Sequence, residues 1–210
     1  LTGASIAALD TAQFDGMTTA QFAAFTSAQA ASITATQADA MSTEDLAALS
    51  TAAMKALTSD ALAALDSAQL AVLGTGQIAG LGTGQIGSLS TDDFNALTTA
   101  QFAALTSTQV AAITAVQTDA MNTDDLAAIS PNSLKAMTTD ALAALDSAQI
   151  GVLTTAQVAA FTSRQIASLD ATDLGALTTT QFAALTSAQT IALTTAQFDT
   201  IATDDQIGRA

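Results

Sequence analysis

The chain of 210 residues is 50% hydrophobic but only 4% aromatic, and its 19 acidic and four basic residues give a formal net charge of −15. This charge repels phosphate backbones, so we expect no nucleic-acid partner. The sequence lacks Cys, His, Tyr and Trp, and with them thiolate nucleophiles, the commonest general base and the soft metal ligands. It has no run of about 18 apolar residues, the length that spans a bilayer, so we expect no membrane insertion.

From Leu1 onward the chain repeats one eight-residue unit, termed here the octad, 26 times with two residues left over. Residues 97–104, Leu-Thr-Thr-Ala-Gln-Phe-Ala-Ala, are a typical octad, and no insertion or deletion interrupts the register. Position 1 is always Leu, Ile, Met or Phe, position 5 is Gln in 16 octads, and position 6 is a large apolar residue in 21. A strict short period is typical of a solenoid. We therefore expect function to depend on a surface or a length.

The octad carries three signals of a helix start in one register. Position 2 is Ser, Thr, Asp or Asn in 23 octads, which are the preferred N-cap residues. Gln at position 5 then completes a capping box, and positions 1 and 6 form a hydrophobic staple. The single proline, Pro131, lies at position 3, the first helical position, where a missing N–H is tolerated. The sequence predicts a short helix in almost every octad and a core made of positions 1 and 6.

The predicted fold class is an all-α solenoid of very short capped helices, continuous over residues 1–210 as a single domain. One long helix is excluded, because apolar spacings of five and three residues would rotate its apolar stripe by about 80° per octad. A β-solenoid is the alternative, because Thr, Ile, Phe and Val favour strands, although the period-2 alternation of a strand is missing. The sequence leaves open whether two or three octads complete one superhelical turn.

Residues 73–88 form a glycine-rich stretch that contains Gly74, Gly76, Gly82 and Gly84. Glycine-rich loops can hold phosphate, but here the octad register continues, no strand precedes and no Lys or Arg is near. We expect these glycines to replace caps and alanines, with local softness or tighter packing as the result.

A second period of 80 residues, or ten octads, overlies the first. Residues 41–48 return as 121–128, and Lys55 returns as Lys135. Duplication of a block of the coding sequence explains this. A sharper interpretation is that ten octads complete a whole number of turns, which two octads per turn would allow and three would not. Because the pattern runs to both ends, we expect the chain to be a segment of a longer protein.

Acidic pairs recur at octad positions 4 and 5, where a helix N-terminus favours negative charge by about 0.3–1 kcal/mol. Hard-cation binding is the alternative, because Ca²⁺ takes oxygen ligands. The sequence offers no catalytic, cofactor-binding or metal-ligating residue to single out, so we expect no enzyme and no cofactor, with calcium the one ion to test. The pairs are Glu44/Asp45, Asp92/Asp93, Asp124/Asp125 and Asp204/Asp205.

Throughout the chain, the octad resembles the tandem LTTAQ-type tracts of very large, adhesin-like secreted or surface proteins of Gram-negative bacteria. That resemblance implies an extracellular or cell-surface location and a repetitive stalk, and it supplies no catalytic residues. The octad is also similar to the opening of the DNA-reading repeats of transcription activator-like effectors. Those repeats are far longer and basic, so their function does not transfer to this acidic chain.

The function expected from the sequence is that of a rod-like repeat segment acting as a stalk, spacer or self-associating filament element of a bacterial surface protein. Its expected contacts are lateral or end-to-end with other copies. Two alternatives stay open: a module that binds a surface peptide or glycan, and an adhesin repeat made rigid by calcium.

Overall fold

A computed structural model describes residues 1–198, and every regular element within that range is a short helix. Each helix begins at octad position 3, as predicted, and has four to six residues. The all-α solenoid prediction is confirmed, and the β-solenoid alternative is wrong. The helices of residues 1–104 are α1 (Gly3–Ala7), α2 (Thr11–Asp15), α3 (Thr19–Ala23), α4 (Ser27–Ala30), α5 (Ala35–Asp39), α6 (Thr43–Ala48), α7 (Thr51–Ala56), α8 (Ser59–Ala63), α9 (Ser67–Ala71), α10 (Thr75–Gly80), α11 (Thr83–Ser88), α12 (Thr91–Asn95) and α13 (Thr99–Ala103).

The chain divides into two compact units, Leu1–Ala104 and Leu105–Ala210, which are described separately. The octad register passes from one unit to the next without a break in the sequence. A single continuous solenoid over 1–210 stays a prediction. The helices of the second unit are α14 (Ser107–Val110), α15 (Ala115–Asp119), α16 (Thr123–Ala128), α17 (Pro131–Leu134), α18 (Thr139–Leu142), α19 (Ser147–Val152), α20 (Thr155–Ala160), α21 (Ser163–Ser168), α22 (Ala171–Gly175), α23 (Thr179–Ala183) and α24 (Ser187–Ala192).

The helices begin after N-cap residues at the octad position predicted from the sequence. Position 2 is the N-cap of every helix from α1 to α24, and its side chain accepts a hydrogen bond from the position-5 N–H in all but α10, α11 and α16. At Thr98 the capping box is complete, because Gln101 Oε1 also accepts from the Thr98 N–H at 2.6 Å. Pro131 occupies the first position of α17, as predicted. Helices this short are unstable alone, so tertiary packing must hold them.

Packing joins helices that lie three octads apart. In the first unit, these contacts form three columns: α1, α4, α7, α10 and α13; α2, α5, α8 and α11; and α3, α6, α9 and α12. In the second unit they form the columns α14, α17, α20 and α23; α15, α18, α21 and α24; and α16, α19 and α22. Within each unit, one turn of the solenoid, termed here a coil, is therefore three octads.

The core consists of octad positions 1 and 6. From Phe25 to Leu177 every residue at these positions is buried, including Thr118. Phe94 and Phe102 pack edge to face with ring centroids 5.0 Å apart, a favoured aromatic geometry. Near the start and end of the described range, position 1 or 6 becomes exposed or half-buried, because fewer coils cover it. The core prediction is confirmed for the interior coils.

The three-octad coil excludes one interpretation of the 80-residue period. Ten octads make three coils and one octad over, so the interpretation that ten octads complete a whole number of turns is wrong. Of the matching residues, Lys55 lies in α7 and Lys135 directly follows α17. Duplication of a sequence block stays a prediction.

Candidate functional surface

The position-5 glutamines join successive coils. Gln101 Nε2 donates to the carbonyls of Leu70 and Leu73, at 2.9 and 2.7 Å, while its Oε1 caps its own helix. These acceptors lie 31 and 28 residues earlier in the chain, at the end of a helix in the preceding coil. The side chain is only 1% exposed. One amide therefore caps the start of one helix and the end of another.

The same bond to the carbonyl 28 residues earlier recurs throughout both units. Where the position-5 residue is not Gln, a shorter side chain can take part, as Ser133 Oγ does by donating to the Leu105 carbonyl at 2.8 Å. We term this location, between the N-cap of one helix and the two carbonyls below it, the position-5 slot. Among the glutamines that donate to the carbonyl 28 residues earlier are Gln29, Gln37, Gln69, Gln77, Gln85, Gln101, Gln149, Gln157, Gln165, Gln181, Gln189 and Gln197.

Sequence reasoning recognised the capping box but missed this bridge between coils. A signal was present, because a capping box accepts Glu as readily as Gln, yet position 5 is never Glu in 26 octads. Only the amide has N–H groups to donate to the carbonyls of the coil below.

The acidic pairs are split between the surface and the position-5 slot. Glu44 is exposed, whereas Asp45 is 7% exposed and its Oδ2 accepts from Ser42 Oγ at 2.6 Å. Asp92/Asp93 and Asp124/Asp125 also lie at helix starts, and Asp204/Asp205 lie outside the described residues. Among residues 1–198 no three His, Cys, Asp or Glu side chains form a group that could hold a metal ion. Calcium binding stays an untested expectation.

The glycine-rich stretch is helical. Gly74 is the N-cap of α10 without a side-chain cap bond, and Gln77 Oε1 accepts from its N–H at 2.7 Å. A Cβ added at Gly80 would collide with Thr51 Cγ2 in the coil below, so this glycine permits close approach. The expected tighter packing therefore holds at Gly80, whereas a Cβ at Gly76 would meet open space.

Charge is distributed unevenly over the columns of each unit. In the first unit the column α1, α4, α7, α10, α13 carries no acidic residue, including its N-caps, but carries the exposed Lys55. In the second unit the acid-free column is α14, α17, α20, α23, which carries the exposed Lys135. The acidic side chains of residues 1–198 lie on the other columns. Each unit thus presents one face without acidic charge, covered mainly by Ala, Gly, Ser and Thr.

Two shallow depressions lie on the described surface. One of about 190 Å³ is lined by Leu1, Met17, Gln21, Ala24, Phe25 and Gln29. Another of about 240 Å³ is lined by Thr11, Ala12, Asp15 and Ala40. In the part of the chain that is described, no helix is long and apolar enough to cross a membrane.

The comparison with known families identifies the repeat. No curated protein matches the chain. The profile of the ALTTAQ repeat family matches six overlapping segments, residues 38–75, 62–91, 89–123, 118–155, 142–171 and 166–203. These segments cover most of the chain and follow the octads that build the coils, so this is a structural repeat module and the chain belongs to the ALTTAQ repeat family.

Proposed function

We propose that this repeat segment is a non-catalytic structural element, acting as an extended stalk or spacer of a bacterial surface protein. The observation that carries the proposal is that the position-5 glutamines, which recur in most octads, hydrogen-bond one coil to the next. Each added coil repeats the same core and the same bridge. Such an architecture is suited to setting a length.

The extracellular location rests on the resemblance of the octad to repeat tracts of secreted and surface proteins. Labelling of the parent protein on intact bacterial cells by an antibody raised against residues 1–198 tests it. Labelling only after the cells are opened would contradict the location.

Small-angle X-ray scattering on the chain tests the extended form. A compact protein of this length has a radius of gyration of about 17 Å. We expect a clearly larger value and a distance distribution with a long tail. A value near that of a compact sphere would end the proposal.

We further propose that copies associate laterally through the acid-free column of α1, α4, α7, α10 and α13. Two chains that each carry a net charge of −15 repel one another, and this face keeps acidic side chains away from the contact. Lys55, exposed on the same face, is the one charged side chain in this column of the described first unit.

Two charge-matched variants test the contact face. Ala52 and Ala68 are both exposed at octad position 4, in α7 of the acid-free column and in α9 of an acidic one. In sedimentation velocity at rising concentration, we expect Ala52→Glu to weaken self-association and Ala68→Glu to leave it nearly unchanged. A wild-type chain that stays monomeric, or equal effects of the two variants, would refute the assignment.

A further inference from the structure

Asp173 occupies a position-5 slot in which neighbouring octads carry glutamine. The glutamines on either side, Gln157, Gln165, Gln181 and Gln189, all donate to the carbonyl 28 residues earlier. For Asp173 the corresponding carbonyl is that of Leu145, directly before α19, and α19 contacts α22. Asp173 is 8% exposed. At this octad position the repeat otherwise has an amide N–H donor, and here it has a carboxyl group.

A short side chain can span this slot. Ser133 Oγ reaches the Leu105 carbonyl, its own acceptor 28 residues earlier, at 2.8 Å. The oxygens of an aspartate lie one bond farther from the backbone than a serine hydroxyl. A protonated carboxyl at position 173 thus has the length to donate to Leu145.

The N-cap residue of its helix distinguishes Asp173 from Asp45 and Asp93, the aspartates in two other position-5 slots. Asp45 and Asp93 each accept a hydrogen bond from the hydroxyl of the N-cap serine, at 2.6 Å. The N-cap of α22 is Asp170, whose Oδ1 accepts from the Asp173 N–H at 2.8 Å and which has no hydroxyl to offer. At neutral pH the Asp173 carboxylate accepts from the Asp170 backbone N–H but has no proton to donate to a carbonyl of the coil below.

Burial raises the pKa of the Asp173 carboxyl above its ordinary value, and the negative charge of Asp170 raises it further. The hydrogen bond that the Asp170 backbone N–H donates to this carboxyl lowers the pKa and so opposes the shift. The other charged residues on the adjoining helices are Asp146 before α19, Asp140 in α18 and Arg164 in α21. Of all these, Asp170 is the one whose charge raises this pKa.

We propose that Asp173 is a proton-dependent clasp between successive coils, which closes when its carboxyl is protonated and donates to the Leu145 carbonyl. When the carboxyl loses its proton, the joint between α22 and the coil below loses its donor and gains a buried charge. The clasp thus makes the cohesion of this coil respond to acidity, while the neighbouring glutamine bridges stay closed at every pH.

The direction of the pH effect follows from linkage. Because the pKa of Asp173 is raised in the folded chain, its contribution to stability is fully present below the pKa of the unfolded chain. It is lost as the pH rises through the folded-state pKa. Paired carboxylates usually have the opposite effect, because their protonation in acid destabilises the fold.

Two asparagine variants test the clasp by urea denaturation between neutral pH and about pH 4, the region of an ordinary aspartate pKa. Asp173→Asn replaces the carboxyl by an amide, which donates at every pH. Asp124→Asn removes an exposed charge at the start of α16, in the same column. We expect Asp173→Asn to have a higher urea midpoint than wild type at pH 7, and this advantage to shrink as the pH falls. The difference in urea midpoint between Asp124→Asn and wild type should stay nearly constant over the pH range in which Asp173 titrates. An Asp173→Asn advantage that is constant or grows in acid would overturn the proposal.

Carboxyl carbon NMR titration gives a second readout that does not depend on the folding of Asp173→Asn. In the wild-type chain the pKa of Asp173 should lie above its ordinary value, and the Leu145 carbonyl signal should move with the same midpoint. Asp170→Ser recreates the serine cap found beside Asp45, so it should lower the pKa of Asp173. An unshifted pKa in wild type, a Leu145 signal that does not follow it, or no change in Asp170→Ser would refute the clasp.

Discussion

Replacement of Gln101 by methionine tests the bridge between coils, because it removes the amide while keeping an unbranched side chain of similar length. The wild-type amide accepts from the Thr98 N–H at 2.6 Å and donates to Leu70 and Leu73 at 2.9 and 2.7 Å. Each net hydrogen bond contributes about 0.5–1.5 kcal/mol, and a buried group left without a partner costs about 1–3 kcal/mol. The Leu73 carbonyl and the Thr98 N–H lose this partner, whereas the Leu70 carbonyl still accepts from the Leu73 N–H at 3.2 Å. We therefore expect Gln101→Met to lower the free energy of unfolding by about 2–4 kcal/mol.

The chain supplies a matched control for this variant. Residues 18–24 and 98–104 share the sequence Thr-Thr-Ala-Gln-Phe-Ala-Ala, but Gln21 is exposed and has no residue 28 positions before it. Gln21→Met removes only the cap, at a cost of about 1 kcal/mol. Thr98→Ala removes the cap hydroxyl beside Gln101 and keeps the bridge, at a similar cost. Urea denaturation followed by circular dichroism measures all three. If Gln101→Met costs no more than Thr98→Ala, the bridge does not stabilise the fold as argued.

The remaining predictions use the same denaturation assay. Gly74→Ser supplies the missing cap of α10 at an ordinary backbone conformation, so it should stabilise by about 0.5–1 kcal/mol; a loss would contradict the cap assignment. Gly76→Ala enters open space and should gain about 0.5–1 kcal/mol, whereas Gly80→Ala, which meets the Thr51 methyl, should gain less or destabilise. Phe102→Ala should cost about 3–5 kcal/mol, since its ring is fully buried; a cost below that of Thr98→Ala would contradict the core assignment.

The sequence predicts the local features of the fold because each depends on residues within one octad. A cap, its box and its staple span six positions, so Thr98, Gln101 and Phe102 predict the helix α13 without knowledge of the rest of the chain. Pro131 fixes the register independently, since only the first helical position accepts it without loss of a hydrogen bond. The alternation of buried and exposed positions follows from the same register.

The number of octads in a coil cannot be predicted from the residues of a single octad. It depends on the backbone angles at each corner, where a residue such as Leu81 turns to extended geometry with φ −61° and ψ 148°. Position 1 is apolar in every octad, so its side chain favours neither two nor three octads per turn. The bridge from Gln101 to Leu73 crosses 28 residues, a distance that becomes meaningful only once the coil length is known.

The 80-residue block has a column without acidic residues in each unit. Lys55 and Lys135, which are 80 residues apart, each lie in the acid-free column of their own unit. The charge pattern is therefore a property of the 80-residue block, which carries its acid-free column with it. Since the proposed contact uses the column of the first unit, Ala52→Glu should weaken self-association, whereas Thr155→Glu, at an exposed site in the acid-free column of the second unit, should have a smaller effect. Equal effects of the two variants would mean that both units provide the contact, and no effect of Ala52→Glu would refute the assignment.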